Sequence, residues 1–291
     1  REALLAADPD TTTGRKPERL FPNLDGVQFL THGLGCGGTR ADTQTLCGLL
    51  AGYISHPNVA GATVLSLGCQ NAQVETLQRE LALRAPGYDR PLLIFEHQQW
   101  GSEQAMLTAA MRETFACLVE ANQIERRAAP LAKLVLGVEC GGSDGFSGIS
   151  ANPLIGQVSD LLVALKGAVI LAEFPELCGV EQDLLNRCVD DRSAQRFAHL
   201  MSTYAARAEA SGAGFDQNPS PGNIRDGLTT DAIKSAGAAK KGGSSPIVDV
   251  LDYPEWVTRA GLTLLCPPGG DVDTTTAMPR AHANMMLVST G

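Results

Sequence analysis

Two hydrophobic rhythms alternate along the chain. Short apolar runs recur at 27–30, 62–67, 91–95, 134–138 and 168–172, and again at 246–250, 262–266 and 285–289. Continuous runs of this length suit strands buried on both faces. Between them, apolar residues return every three or four positions, as on one face of a helix. Leu46, Leu49, Leu50 and Tyr53 define one such face, and 72–83 another. Ser102 is placed to cap a helix reaching about Asn122. Asn152-Pro153 opens a helix carrying Leu154, Ile155, Val158, Leu161, Leu162 and Leu165, which Gly167 ends. Further helices are predicted over 181–188, 192–211 and about 230–240.

Strand and helix in alternation predict an α/β fold: parallel, Rossmann-like sheets covered by helices, in two α/β units. Residues 1–20 read as a lead-in, 21–128 as the first α/β domain and 131–291 as the second, with Ala128-Ala129-Pro130 as the linker. The chain opens on Arg1 and stops just after an apolar run, so both ends read as cuts within a longer polypeptide.

Composition narrows the function. Hydrophobic residues make up 44% and charged residues 19%, enough for a packed core in 291 residues. A net charge of -9 disfavours nucleic acid and acidic membrane surfaces as partners. A small anionic ligand would then need a local positive feature, such as a metal, a helix N-terminus or a few basic side chains. No run is long enough to span a bilayer and no signal peptide is visible. The eight cysteines contain no CxxC pair, which excludes a zinc ribbon. They predict a reduced, cytoplasmic protein.

Candidate chemistry collects where strands end. His32-Gly33-Leu34-Gly35-Cys36-Gly37-Gly38 follows the first apolar run, Gly68-Cys69-Gln70-Asn71 the second, and Glu139-Cys140-Gly141-Gly142-Ser143-Asp144-Gly145 the fourth. In open parallel sheets ligands bind just beyond the carboxyl ends of strands, and bare amides there favour anions. The glycines match neither a P-loop nor a clean dinucleotide fingerprint. No GxSxG elbow is present either.

The segment Glu139-Cys140-Gly141-Gly142-Ser143-Asp144-Gly145-Phe146-Ser147-Gly148, continuing to Asn152-Pro153, resembles the central signature of the altronate and galactarate dehydratase family. So does Asn218-Pro219-Ser220-Pro221-Gly222-Asn223, followed by Gly227-Leu228-Thr229-Thr230 and Lys234-Ser235. His56-Pro57-Asn58, Leu67-Gly68-Cys69-Gln70-Asn71 and the 248–253 segment match in order. The likeness runs from about Phe21 to Gly291 and is nearest the altronate-acting members. It implies a lyase that removes water from a hexonate to give a 2-keto-3-deoxy acid. It also implies Fe(II), with Mn(II) as a substitute, and an N-terminal small β domain not seen in this chain. Gln70 departs from the family pattern, in which many relatives carry Glu.

Under that resemblance His32, Cys36, Cys69 and Cys140 are the metal-ligand candidates. His32, Glu173, Gln98 and Gln99 are the candidates for acid, base or hydrogen-bonding work, with His97 beside them. Gly37, Gly38, Asn71, Gly141, Gly142, Ser143, Asp144, Asn152, Asn218, Asn223 and Lys234 are expected to line the substrate site. Plainer readings stand beside these. His32 can simply bond loop backbone, the cysteines can be inert packing groups, and Asn152, Asn218 and Asn223 can serve caps and turns. Glu173 and Glu176 would ordinarily be solvated loop carboxylates, and Lys240-Lys241 a solvated helix end. Four other functions compete: a galactarate dehydratase, a sulfolactate sulfo-lyase-like enzyme, a non-catalytic sugar-acid binding module and a structural α/β domain. Homo-oligomer formation stays open.

Overall fold

The computed structural model describes residues 19–253 and 255–290. The expected lead-in therefore lies almost wholly outside the described residues. Among them, nine α-helices accompany seven strands, and every strand pairing is parallel. Packing divides the chain into two units. The first holds the described residues up to Cys47 together with Asn58–Ala128, and the second holds Gly48–Pro57 and Ala129–Gly291.

In the first unit, β1 (Ala62–Ser66) pairs in register with β2 (Leu92–Glu96). The N-terminal half of α1 (Arg40–Ser55), α2 (Val74–Arg84) and α3 (Glu103–Ala121) accompany them. Ser102 caps α3 as expected, its hydroxyl accepting from Ala105 N at 3.2 Å. Phe95, Met106 and Ala110 form a small buried cluster between β2 and α3. The strand expected at 27–30 does not form. Phe29 and Leu30 are 63% and 52% exposed, so this run lacks the burial that would reward pairing it to a sheet.

The second unit is built on a five-stranded sheet of order β5-β6-β4-β3-β7. Its strands are β3 (Val135–Gly142), β4 (Ala168–Leu171), β5 (Ile247–Asp252), β6 (Gly261–Cys266) and β7 (Met285–Thr290). Both faces are covered, which explains why β4 and β6 are buried along their whole length. On one face, Leu136, Val138, Val169 and Leu171 meet Ile155 and Leu162 of α4 (Ala151–Ala164) and Leu184 of α5 (Glu181–Arg187). The same core takes in Phe197 of α6 (Asp191–Ala210). After a short α7 (Pro221–Arg225), α8 (Asp231–Lys240) adds Ala238 and Ala239 to it. On the other face, Ile170, Ala172 and Leu265 meet Ala277 and Met278 of α9 (Asp271–Arg280).

Strand order sets the position of the crevice. From β3 the chain moves to one side of the sheet, through β4, β5 and β6, and returns with β7 to the other side of β3. The end of β3 therefore lies at a topological switch point, where an open parallel sheet leaves a cleft.

Glycine lets α4 and α8 approach closely. A Cβ built on Gly156 would lie 2.1 Å from the Lys240 carbonyl oxygen, an impossible contact. Gly243, at φ +64°, packs against Gly156 and Asp160, and that backbone conformation favours glycine.

Candidate active site

The ends of β3 and β4 lie side by side because these strands pair from Val135↔Ala168 to Val138↔Leu171. Beyond β3 come Glu139 and Cys140, and beyond β4 comes Glu173, followed by a short turn that carries Glu176. The result is a compact group. One ligand atom each from Cys140, Glu173 and Glu176 lies within 4.8 Å of the others.

Two lysines from α8 and its end complete the arrangement. Lys241 Nζ lies 2.6 Å from Glu173 Oε1, with the two side chains only 0% and 2% exposed. At this distance the two opposite charges form a buried ion pair. Lys234 Nζ lies 2.8 Å from Glu176 Oε1 and donates to Asn218 Oδ1 at 2.5 Å and Asn223 Oδ1 at 3.3 Å. Both lysines thus meet the Oε1 atoms. The Oε2 atoms of Glu173 and Glu176 are buried without a hydrogen-bond partner. Unsatisfied buried carboxylate oxygens are costly and rare, and they mark a place where a cation or a polar group belongs.

Burial dominates the site's proton chemistry. Desolvation pushes the Glu173 carboxyl above its ordinary range, and the Lys241 ammonium pulls it partly back. The Cys140 thiol is likewise raised by burial, with Lys241 opposing. Glu139 alternates to the other face of β3, the side on which Gly137 packs against Met278 of α9. Desolvation, reinforced by the neighbouring Glu173 charge, pushes its carboxyl up to about 9.

Several of the expected substrate-lining residues of this unit touch one another beside this group. Ser143 Oγ contacts Cys140 Sγ closely. Asn223 Nδ2 donates to the Ser143 carbonyl at 3.0 Å, which clips the Pro-rich loop onto the end of β3. Gly145 N donates to the Asp226 carbonyl at 2.8 Å and reinforces the clip. Asp144 accepts from Ser147 N at 2.6 Å, so it also serves its own turn. Asn152 is buried inside α4, one residue past its start, and its Oδ1 has no partner. Gly141 and Gly142 are exposed, and a Cβ on Gly142 would meet nothing within 4 Å.

The other candidates belong to the first unit. His32 is exposed on an irregular loop. Cys36 Sγ lies 3.6 Å from the Cys69 carbonyl oxygen, and Asn71 Nδ2 donates to the Cys36 carbonyl at 2.8 Å, so the two glycine loops touch. Gly38 adopts φ +101° beside Leu34, while Gly37 stands in open space. Gln98 packs under Gly68, where a Cβ would lie 2.9 Å from its amide carbon. Gln99 donates to Glu96 at 3.1 Å. Gln70 is buried and donates to Ser66 Oγ at 2.7 Å.

Two residues corrected the sequence reading. Lys241 is not a solvated helix end but a fully buried cation. The signal was the following Gly242-Gly243 pair, which lets α8's end sink against Leu171 and Asp160. Glu173 is not a solvated loop carboxylate, being 4% exposed. The burial of Glu139, which its motif alone does not signal, follows from the two-residue strand period.

A cleft of about 330 Å³ lies elsewhere in the second unit, lined by residues including Asp190, Arg196, Asp249, Glu255 and Trp256. Arg196 and Glu255 already pair at 2.6 Å there, and none of the strand-end residues above lines it. The chemistry points to the strand ends rather than to this opening.

The fold and site define an α/β protein with a ligand crevice at the switch point of a parallel sheet. The chain belongs to the D-galactarate/altronate dehydratase family: its C-terminal model, "D-galactarate/Altronate dehydratase, C-terminal", matches residues 131–291. The model "D-galactarate dehydratase/Altronate hydrolase, second domain" matches residues 4–122. The chain is 36% identical to the altronate dehydratase of Bacillus subtilis (strain 168), over 92% of this chain and 53% of that protein. It is equally similar, at 36%, to the altronate dehydratase of Escherichia coli (strain K12), again over 92% and 53%. To the galactarate dehydratase (L-threo-forming) of Escherichia coli (strain K12) it is 31% identical, over 81% of this chain and 46% of that one. The chain spans about half the length of these curated relatives. Among the described residues, no helix is long and apolar enough to cross a membrane.

Proposed function

We propose that this chain forms the catalytic part of a sugar-acid dehydratase acting on an altronate-like hexonate. The observation that carries this reading is the group at the ends of β3 and β4: Cys140, Glu173 and Glu176, with Lys234 and Lys241 beside them.

The donor set fits a divalent transition metal. A sulfur with two carboxylates suits Fe(II) or Mn(II) better than a thiolate-only or all-oxygen ion. The two buried, unpartnered Oε2 atoms give such an ion a reason to bind. Cys140, Glu173 and Glu176 would hold it. When bound, it would stabilise charge developing on the substrate carboxylate as the adjacent proton leaves.

The chain's own groups handle the protons. Glu173 is sealed from solvent, so its work is electrostatic, whereas Glu176 is a quarter exposed and can meet a substrate. In this reading Glu176 Oε2 is left for the metal while Oε1, beside Lys234, takes the C2 proton, and the Lys234 ammonium gives a proton to the departing 3-hydroxyl, which leaves as water. The enol that remains rearranges to the 2-keto-3-deoxy acid. The 2.8 Å contact then lets Glu176 return its proton to Lys234, restoring both groups. Open space at Gly142 leaves room for the substrate, and Ser143, Asn218 and Asn223 offer hydrogen bonds to its hydroxyls.

The decisive experiment incubates a protein containing this chain with altronate, galactarate and sulfolactate, anaerobically and with Fe(II). Keto-acid formation without sulfite supports dehydration. Sulfite release would make the enzyme a sulfo-lyase, and binding without consumption would make it a binding module.

A further inference from the structure

In the first unit, two glycine-rich loops bring the Cys36 thiol against the backbone of Cys69. Cys36 Sγ lies 3.6 Å from the Cys69 carbonyl oxygen. Backbone geometry then places that sulfur within about 6 Å of the Cys69 Cα. Two further contacts keep the loops adjacent: Asn71 N donates to the Gly35 carbonyl at 3.0 Å, and Asn71 Nδ2 to the Cys36 carbonyl at 2.8 Å. Freedom to close the remaining gap comes from the glycines. A Cβ on Gly35 or Gly37 would meet nothing within 4 Å, so the segment around Cys36 has room to shift.

Exposure singles out this pair. Of the eight free cysteines, Cys36 and Cys69 are the two exposed ones. The others are buried or half-buried, and burial raises their thiols away from the reactive thiolate form. An accessible thiol with a second thiol in reach is the arrangement that converts oxidation into a disulfide instead of an over-oxidised sulfur.

We propose that Cys36 and Cys69 are a redox-active dithiol that closes to an intramolecular disulfide on contact with a peroxide. With hydrogen peroxide, the first thiol gives up its proton and its sulfur breaks the O–O bond; the expelled hydroxide takes up that proton and leaves as water, and a sulfenic acid remains. The second thiol displaces the sulfenic hydroxyl, forming the S–S bond and a second water. Two electrons pass from the sulfurs to the peroxide, which is reduced to two waters. Closure staples the loop carrying His32 to the one carrying Asn71, and a small dithiol reverses it.

The test treats the reduced full chain with stoichiometric hydrogen peroxide, alkylates it and maps the unreduced digest by mass spectrometry. The expected result is loss of two of the eight alkylatable thiols and a peptide pair joining Cys36 to Cys69, two hydrogens lighter than its parts. Dithiothreitol restores both thiols. In Cys36→Ser the cross-link disappears, and dimedone traps a sulfenic acid at Cys69. The proposal is overturned if Cys36 and Cys69 stay alkylatable while other thiols are lost. It is equally overturned if the link joins two chains, or if both sulfurs end as unlinked higher oxides.

Discussion

Lys241 and Glu173 face each other at 2.6 Å with both side chains closed off from water. Neither ion would be tolerated there alone. Removing one partner of a buried pair leaves an uncompensated charge and costs about 3–5 kcal/mol, whereas replacing both with apolar groups of similar volume is often neutral. Lys241→Met should therefore lower the urea midpoint sharply. The double variant Lys241→Met/Glu173→Leu should recover most of that loss. A double variant no more stable than the single one would show that the pair does not act as a unit.

Glu139 makes stability depend on pH in the direction opposite to most acids. Its carboxyl is raised from 4.5 to about 9 in the folded chain, chiefly by desolvation. Between those values the folded state holds a proton that the unfolded state has lost, so raising the pH favours unfolding. Stability from this group is complete below about 4.5 and gone above about 9. The shift at Glu173 has the same sign. Urea unfolding at a series of pH values should show a decline toward alkali that Glu139→Gln flattens.

Gly156 offers a test of the helix crossing. In an ordinary helix interior, Gly→Ala gains about 1 kcal/mol. Here the new methyl would sit 2.1 Å from the Lys240 carbonyl oxygen, a backbone atom that cannot swing aside. Overpacking of this kind costs about 1–3 kcal/mol, so the sign should reverse. Thermal melting of Gly156→Ala below the parent temperature is the expected result.

Removing the proposed base should affect turnover more than binding. Glu176→Gln keeps the shape and the contact to Lys234 but cannot accept the C2 proton. A fall in kcat of about 10²–10⁴-fold with little change in KM is expected, at a metal content equal to that of the parent. A rise in KM alone would move Glu176 from proton transfer to substrate binding.

Metal occupancy has its own readout. Cobalt(II) bound through Cys140 should give a sulfur-to-metal charge-transfer band in the near ultraviolet. Cys140→Ala should abolish that band while retaining weaker cobalt binding through Glu173 and Glu176. An unchanged spectrum would take Cys140 out of the ligand set.

The periodicities made most of the fold legible. Of the six apolar positions expected on the face of α4, only Ile155 and Leu162 are buried, while Leu154, Val158, Leu161 and Leu165 are exposed; the continuous runs of β4 and β6 betrayed strands buried on both sides. The motif around Cys140 and the Pro-rich loop with Asn218 and Asn223, both read as candidates from the sequence, touch through Asn223 and Ser143, and Lys234 holds the two asparagines. Lys241 was not legible. A lysine at a helix end is normally solvated; the Gly242-Gly243 pair lets this end sink, but the partner that makes the charge tolerable, Glu173, lies 68 residues earlier in the chain. The 27–30 run failed for a related reason, since apolar character alone does not supply a neighbouring strand.

The pairing of β3 with β7 has a kinetic side. β3 meets β4 after one short helix, but Ser289 and Glu139, joined across the β3–β7 ladder, are separated by 150 positions in sequence. Nascent chains leaving the ribosome would thus carry the reactive strand with one margin bare until almost all of the second unit had been made. Pairings so distant close slowly and expose sticky intermediates. Yield on refolding, rather than final stability, is where damage to β7 would first be felt.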